Sequence, residues 1–481
     1  MSHWSNFRLV AATALASSAL AACAVGPNFE RPATTEAVSY TAEPLNGLKD
    51  GSGQQLAPGQ DLPDQWWTTF RAPALDATMQ QALDGNRSLA AAAATLAQAR
   101  EAVNAERGTL YPQVSLDGGL GRQKYGAEFA GPVQQPPFTY FAIGPSVHYL
   151  FDYTGGQRRS VEQQQALADE QAFRFRAAQL SLTGSVAQQV VTIASTRAQI
   201  AVLEDLLNED RNNVTLVQTA FEAGSVSRVD LLSAQSQLAN DQTLLPPLHQ
   251  QLSIARHALS ILVGRAPAQW TPPDFDIADL QLPQSLPVSV PSELAHRRPD
   301  ILAAEAQLHA ATAAIGVAAS RLYPQINISA TLSQQSTEVS NLFDHSSLAW
   351  SLIGGVTAPL FDGGTLRAQS RAAQDAMKAS LAQYEQTVLE AFGQVADVLT
   401  ALQHDAEQLT ALRNALDTSE ANFKLTRESY SVGNVGILQV LDAERLLQQA
   451  KLGYARAEAQ RYQDTAQLFL ALGGNSAAAS K

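Results

Sequence analysis

Apolar side chains recur every seven residues along two long stretches of the chain. Val186, Ile193, Ile200, Leu207, Val214 and Phe221 keep that spacing in the first, and Val388, Val395, Leu402, Leu409, Leu416, Phe423 and Tyr430 keep it in the second. After a glycine-containing break the first stretch resumes as Leu231, Leu238, Leu245, Leu252 and Leu259. A sustained seven-residue repeat predicts helices that supercoil left-handedly against neighbours. From Gly156 to Phe221 is 66 residues by count, a helix of about 100 Å. A compact globule of this mass would measure only roughly 60 Å across. Such helices project beyond any compact body. Pro246-Pro247 predicts a break in the descending helix of the first stretch.

A second periodicity, of two residues, occupies four shorter segments. Val114, Leu116, Gly118 and Leu120 alternate with Ser115 and Asp117, and Phe141, Ile143, Val147, Tyr149 and Phe151 alternate with Ser146 and His148. Further along come Ile326, Ile328, Ala330 and Leu332, then Leu348, Trp350, Leu352, Val356 and Leu360. Strands are expected at about 113–124, 140–151, 325–334 and 348–361. Their length approaches the ~9–11 residues of a tilted membrane strand, and apolar-out, polar-in alternation is the pattern of a membrane barrel. A soluble sheet with one buried face alternates in the same way. Four strands cannot close a lipid-facing barrel, because open edges leave backbone groups unpaired in hydrocarbon. Two copies would supply eight strands and three would supply twelve.

The landmarks come in pairs. Leu110-Tyr111-Pro112-Gln113-Val114 returns as Leu322-Tyr323-Pro324-Gln325-Ile326, and Ala223-Gly224-Ser225-Val226 returns as Val432-Gly433-Asn434-Val435. The unit repeated is about 210 residues, too long for a solenoid, so each copy is a structural module. The expected organisation is a leader over 1–22, an extended segment over 23–73, a first copy over 74–263, a proline-rich linker over 264–291, a second copy over 292–472 and a flexible tail over 473–481. Each copy opens with one Ala-rich helix, at about 74–109 and about 292–321, before its two strands.

Composition narrows the function. With 45 acidic against 32 basic side chains the formal charge is −13, which argues against a nucleic-acid partner. Apart from the N-terminal run, no window approaches the uninterrupted apolar length of a spanning helix. That run, Arg8 followed by apolar and small residues ending in Leu20-Ala21-Ala22-Cys23, reads as an export signal. The single cysteine sits where a lipoprotein signal places its lipidated residue, and Ala24 after it favours the outer membrane. The histidines form no H-E-x-x-H pair and no G-x-S-x-G elbow is present. No catalytic group, metal or cofactor is expected, so the protein does not read as an enzyme.

Taken in order, Cys23-Ala24-Val25-Gly26-Pro27-Asn28-Phe29, Trp66-Trp67-Thr68-Thr69-Phe70, Arg297-Arg298-Pro299-Asp300-Ile301, Tyr430-Ser431-Val432-Gly433 and Ala471-Leu472-Gly473 resemble the outer membrane factors, the TolC-type exit ducts, and especially their OprM- and NodT-like lipoproteins. The resemblance spans the whole mature chain. It implies a mostly α protein with a membrane β-barrel: four strands from each protomer of a homotrimer make twelve, above a coiled-coil periplasmic tunnel. It further implies a passive duct for small toxic compounds, with a periplasmic adaptor, an inner-membrane pump of the RND type and outer-membrane lipid as partners. Gly224, Ser225, Val226, Gly433, Asn434 and Val435 would form the tips that meet the adaptor. Asp442, Gln439, Asp230 and Tyr430 would lie at the periplasmic gate, with Asp442 forming a ring of three carboxylates that favours cations. The TolC pattern carries a second acid where this chain has Gln439 and an arginine where it has Val435. Closure is therefore expected to rest more on packing near Tyr430 and Val435. The competing readings are a duct for type I polypeptide secretion, a structural coiled-coil lipoprotein without a pore, and a lipid-tethered hydrolase.

Overall fold

The computed structural model describes residues 24–33, 39–41, 54–60, 62–63, 65–125 and 136–474. The leader, Cys23 and the tail from 475 onward lie outside the described residues. In chain order the elements are β1 (Gln55–Pro58), a 3-10 turn (Trp66–Phe70), α1 (Pro73–Gly85), α2 (Arg87–Gly108), β2 (Gln113–Gln123), β3 (Phe138–Phe151), α3 (Gly156–Glu222), α4 (Arg228–Gln242) and α5 (Leu245–Leu262). The second half continues with β4 (Ser285–Val288), α6 (Pro291–Arg297), α7 (Pro299–Ser320), β5 (Gln325–Ser336), β6 (Leu348–Thr357), α8 (Thr365–Ser431) and α9 (Ile437–Ala471).

The heptad stretches are the uninterrupted helices α3 and α8, each 67 residues long. They begin and end 209 positions apart, the offset of the repeat. Val186, Ile193, Ile200 and Leu207 are buried along α3, as are Val388, Val395 and Leu402 along α8. Lower down α8, Leu409, Leu416 and Phe423 are only partly covered.

Five expected segments differ from the observed ones. The first Ala-rich helix is two, because Asn86 accepts a hydrogen bond from Leu89 N–H (2.9 Å) and thereby caps a new start at α2. Its counterpart in the second copy is also two: Pro299 forces Arg298 into an extended conformation (ψ 125°) that ends α6. The segments expected to be extended, 23–73 and 264–291, hold the strands β1 and β4, which pair in parallel from Gln55↔Ser285 to Pro58↔Val288. The last strand stops at Thr357 instead of 361, short of Pro359, which has no N–H to offer a ladder. The descending helix does break where the tandem prolines stand: both fall in the first turn of α5, where a missing N–H costs least. The repeat-equivalent positions are Ala455 and Arg456, and there α9 runs on unbroken.

The structure divides into two compact units, each drawing on both copies of the repeat. One comprises residues up to Pro32, Leu96–Gln171 and Ala304–Tyr384. It contains an antiparallel sheet in the order β2-β3-β5-β6. The register lines apolar residues up across all four strands, as in Val114, Val147, Ala330 and Leu352. The next row is Ser115, Ser146, Thr331 and Ser351, with Ser115 Oγ 2.8 Å from Ser146 Oγ and Thr331 Oγ1 2.6 Å from Ser351 Oγ. On this apolar face Val114 is 69% exposed, Trp350 76% and Leu352 68%. In the same unit residues 24–31 form a strap. Val25 N–H donates to Thr154 O (2.9 Å), Arg159 Nη2 to Asn28 Oδ1 (2.6 Å) and Arg31 Nε to Glu305 Oε1 (2.8 Å), while Phe29 stacks on His309 (4.4 Å). Arg159→Ala removes the central clamp and is expected to speed endoproteinase Glu-C cleavage after the exposed Glu30 severalfold, read as the appearance of the fragment that begins at Arg31.

α7 is apolar enough, at a mean hydropathy of 1.3, to pass as a spanning helix by length and composition. That corrects the expectation that no such window follows the leader. Half of the window is buried inside the protein, and Glu305 and His309 on α7 are held by Arg31 and Glu162.

The other unit comprises Ala33–Thr95, Ala172–Ala303 and Glu385–Lys481. Its aromatic core joins Trp66, Phe70, Tyr462 and Phe469, with Trp66 stacked on Phe469 at 5.5 Å. Arg461 is fully buried beside it, donating to Gln54 Oε1 (2.7 Å) and to Leu402 O (2.6 Å).

Candidate functional site

The two long helices end in the same way. Gly224 N–H bonds Phe221 O and Ser225 N–H bonds Ala220 O; Gly433 N–H bonds Tyr430 O and Asn434 N–H bonds Ser429 O, all at 2.9 Å. This is a Schellman termination, which requires a left-handed residue after the last helical turn. Gly224 (φ 74°) and Gly433 (φ 78°) supply it. The space around both is open, so conformation, not crowding, selects glycine here.

Beneath the turns an apolar cluster of Val217, Leu231, Ala234, Ile437, Val440 and Leu441 binds the two hairpins together. Val226 and Tyr430 pack against its rim. An open groove of about 1240 Å³ runs past Gly224, Ser225, Val226, Tyr430, Val435 and Gln439. The structure therefore brings most of the expected tip and gate residues onto one surface. Val229, Leu232, Val432 and Leu438 around it are exposed apolar residues, a pattern that marks surfaces covered by another protein.

The residues expected at the gate make distinct local contacts. Asp230 forms a capping box: its Oδ2 accepts from Ser227 N–H (2.9 Å) and Ser227 Oγ (2.7 Å), while Ser227 caps Asp230 N–H. Those donors hold the Asp230 carboxyl below its usual pKa. The repeat-equivalent position is Gln439, and α9 starts at Gly436 with no side-chain cap. Asp442 lies one turn further on, exposed, with its Oδ1 accepting from Arg445 at 2.7 Å. An exposed pair of this kind contributes at most about 1 kcal/mol.

Sequence reading missed a buried acidic trio above this cluster, formed by Asp210, Asp241 and Glu444. The signal was present: Ile200, Leu203, Leu207, Asp210, Val214 and Val217 follow a 3-4 core spacing with an acid in it. So do Leu231, Ala234, Leu238, Asp241 and Leu245.

A four-stranded sheet with an exposed apolar row, together with paired long hairpins that end in glycine turns, is the make-up of a membrane exit channel. The chain belongs to the family of outer membrane efflux proteins, whose profile matches residues 78–265 and 290–474. It is 30% identical to the pyoverdine export outer membrane protein OpmQ of Pseudomonas putida, over 91% of this chain and 94% of that one. It is 29% identical to the toluene efflux pump outer membrane protein TtgF of the same species, over 95% of each. The solved outer-membrane channel OprN shares its fold at a TM-score of 0.85 and 27% identity, covering 94% of this chain and 99% of that one. The protein is thus the outer-membrane exit duct of an efflux system.

Proposed function

We propose that three copies of this chain close one twelve-stranded barrel, tethered through lipid at Cys23, and that the duct passes small toxic molecules delivered by an adaptor and an RND-type pump. The carrying observation is the sheet. Neither β2 nor β6 has a second neighbour among the described residues, and unpaired edges in hydrocarbon cost several kcal/mol per group. Twelve strands enclose a backbone diameter of about 24 Å, enough for a wet lumen once side chains intrude. The partly covered stripe on α8 supports the same assembly, since coiled-coil positions want a partner. The strap sets Val25 against Thr154, three residues past the end of β3, which supports an anchor at the foot of the barrel. OpmQ and TtgF are named for cargoes of unlike chemistry, which supports a permissive duct whose selectivity lies in the pump.

At the periplasmic end the turns at Gly224-Ser225-Val226 and Gly433-Asn434-Val435 dock the adaptor, and packing near Tyr430 and Val435 narrows the passage. Asp442 is its ring of carboxylates, tempered by Arg445. Purified protein in planar bilayers should give trimer-sized channels that prefer cations. Asp442→Ala should cut the cation preference roughly fivefold, the effect of about 1 kcal/mol of ring electrostatics. Unchanged selectivity would remove Asp442 from the gate, and sedimentation as a monomer would remove the trimer.

A further inference from the structure

The apolar packing of the hairpins is interrupted just above the tip. On one side lies the cluster around Val217, Leu231 and Ile437, and on the other Leu203, Leu206 and Leu207 with Leu238, Leu245 and Leu248. Between them three helices each place an acid at a core position: Asp210 on α3 (2% exposed), Asp241 on α4 (6%) and Glu444 on α9 (5%). Asp210 and Asp241 lie within hydrogen-bonding reach of each other, and Glu444 is close enough to repel both.

Neutral donors cover part of this cluster. Gln237 Nε2 donates to Asp241 Oδ2 (2.7 Å), and Asn213 Nδ2 to Glu444 Oε2 (2.6 Å). Asp210 Oδ2 and Glu444 Oε1 are buried without a partner. The charged groups nearby do not neutralise it. Glu209 on α3 adds a further negative charge, and Arg427 on α8 lies 3.6 Å from Glu209 at a largely exposed site. Asp205 and Lys451 border the same groove as Glu444. Two carboxyls in mutual hydrogen-bonding reach need a proton between them, and burial together with like charge makes the ionised forms costly. Accordingly Asp210 and Glu444 are each raised to about 7, first by burial and then by the neighbouring acids. Two residues beyond Asp241, the chain breaks at Thr243-Leu244 ahead of the tandem prolines, so α4 is a short body bounded by a hinge and a turn.

We propose that Asp210, Asp241 and Glu444 form a proton lock in the tip hairpins: bound protons hold α4 and α9 against α3, and proton loss loosens them. Its meaning for gating rests on the reading of the tip given above, but the lock itself does not. The sign follows from the raised values. The packed state keeps protons that a loosened, hydrated state releases, so packing is strongest at acidic pH. It weakens as pH climbs from about 4 toward 7 and loses nothing further above that.

Amide hydrogen exchange in α4 and in the first turns of α9 tests this on the full-length protein in detergent or nanodiscs, over pH 5.5–8.5 and corrected for intrinsic base catalysis. The opening equilibrium should rise on the order of tenfold per pH unit for each proton released, then level off above about pH 7. The double variant Asp210→Asn/Glu444→Gln should show no such rise; a rise equal to that of the natural chain overturns the proposal. Should that variant fail to fold, Asp241→Asn decides alone. Removing the like charge and supplying an amide donor should move the midpoint down, and an unmoved midpoint overturns the proposal. Asp442→Asn, on the exposed face, should leave the midpoint where it is. Exchange reports on the helices directly, so a protein that never conducts in bilayers would sink the duct assembly without touching this result.

Discussion

Trp66→Ala is expected to cost the helical unit about 3–5 kcal/mol, the range for deleting a fully buried aromatic. Trp66 is 1% exposed. It stacks on Phe469 of α9 at 5.5 Å and meets Phe70 edge-on at 6.3 Å. Its Nε1–H points to Thr183 Oγ1 of α3 at 3.4 Å. One side chain thus ties the 3-10 turn to both copies of the repeat. Trp66→Phe keeps the stack and should cost only about 1–2 kcal/mol, because Thr183 already donates to Leu180 O (2.9 Å) and is not orphaned. Denaturant unfolding followed by far-UV circular dichroism separates the two variants. A loss below 1 kcal/mol for alanine would show that the aromatic cluster is not the keystone of this unit.

A single charge should discriminate the two faces of the sheet. Leu352→Arg puts a guanidinium in the apolar row, where a charge near the bilayer midplane costs about 2–4 kcal/mol. Three chains in one barrel would multiply that to roughly 6–12 kcal/mol, so the variant should be nearly absent from the outer-membrane fraction. Ser351→Arg, one residue away in the hydroxyl row, projects to the opposite face. It should insert at close to the natural level and alter conductance instead. The reverse outcome would exchange the lipid and lumen faces, and equal recovery of both variants would show that neither face meets lipid.

What the sequence disclosed, and what it hid, follows from periodicity. Seven-residue and two-residue patterns are one-dimensional records of a face, so α3, α8 and the four sheet strands could be read directly, together with the 209-residue offset between the long helices. Asn86 and Arg298-Pro299 break helices through a single side chain or ring, which leaves the Ala-rich composition on either side unchanged. β1 and β4 are four-residue strands some 230 positions apart, with no alternation to announce them and a pairing only the folded chain creates. The tip positions were legible because glycine turns recur in both copies. The duties of Asp230 and Asp442 were not, since each depends on a neighbour three residues away. Asp210, Asp241 and Glu444 were passed over because acids on long helices usually face solvent; only their place in the seven-residue frame distinguishes them.

The unequal starts of α4 and α9 carry a mechanical consequence. Ser227 and Asp230 pin the first turn of one hairpin, whereas its duplicate begins at Gly436 with its leading amides uncapped by any side chain. Duplication has left one post and one leaf from the same ancestral pattern. The leaf is held through the burial of Ile437, Val440 and Leu441, whereas the post adds side-chain bonds of its own.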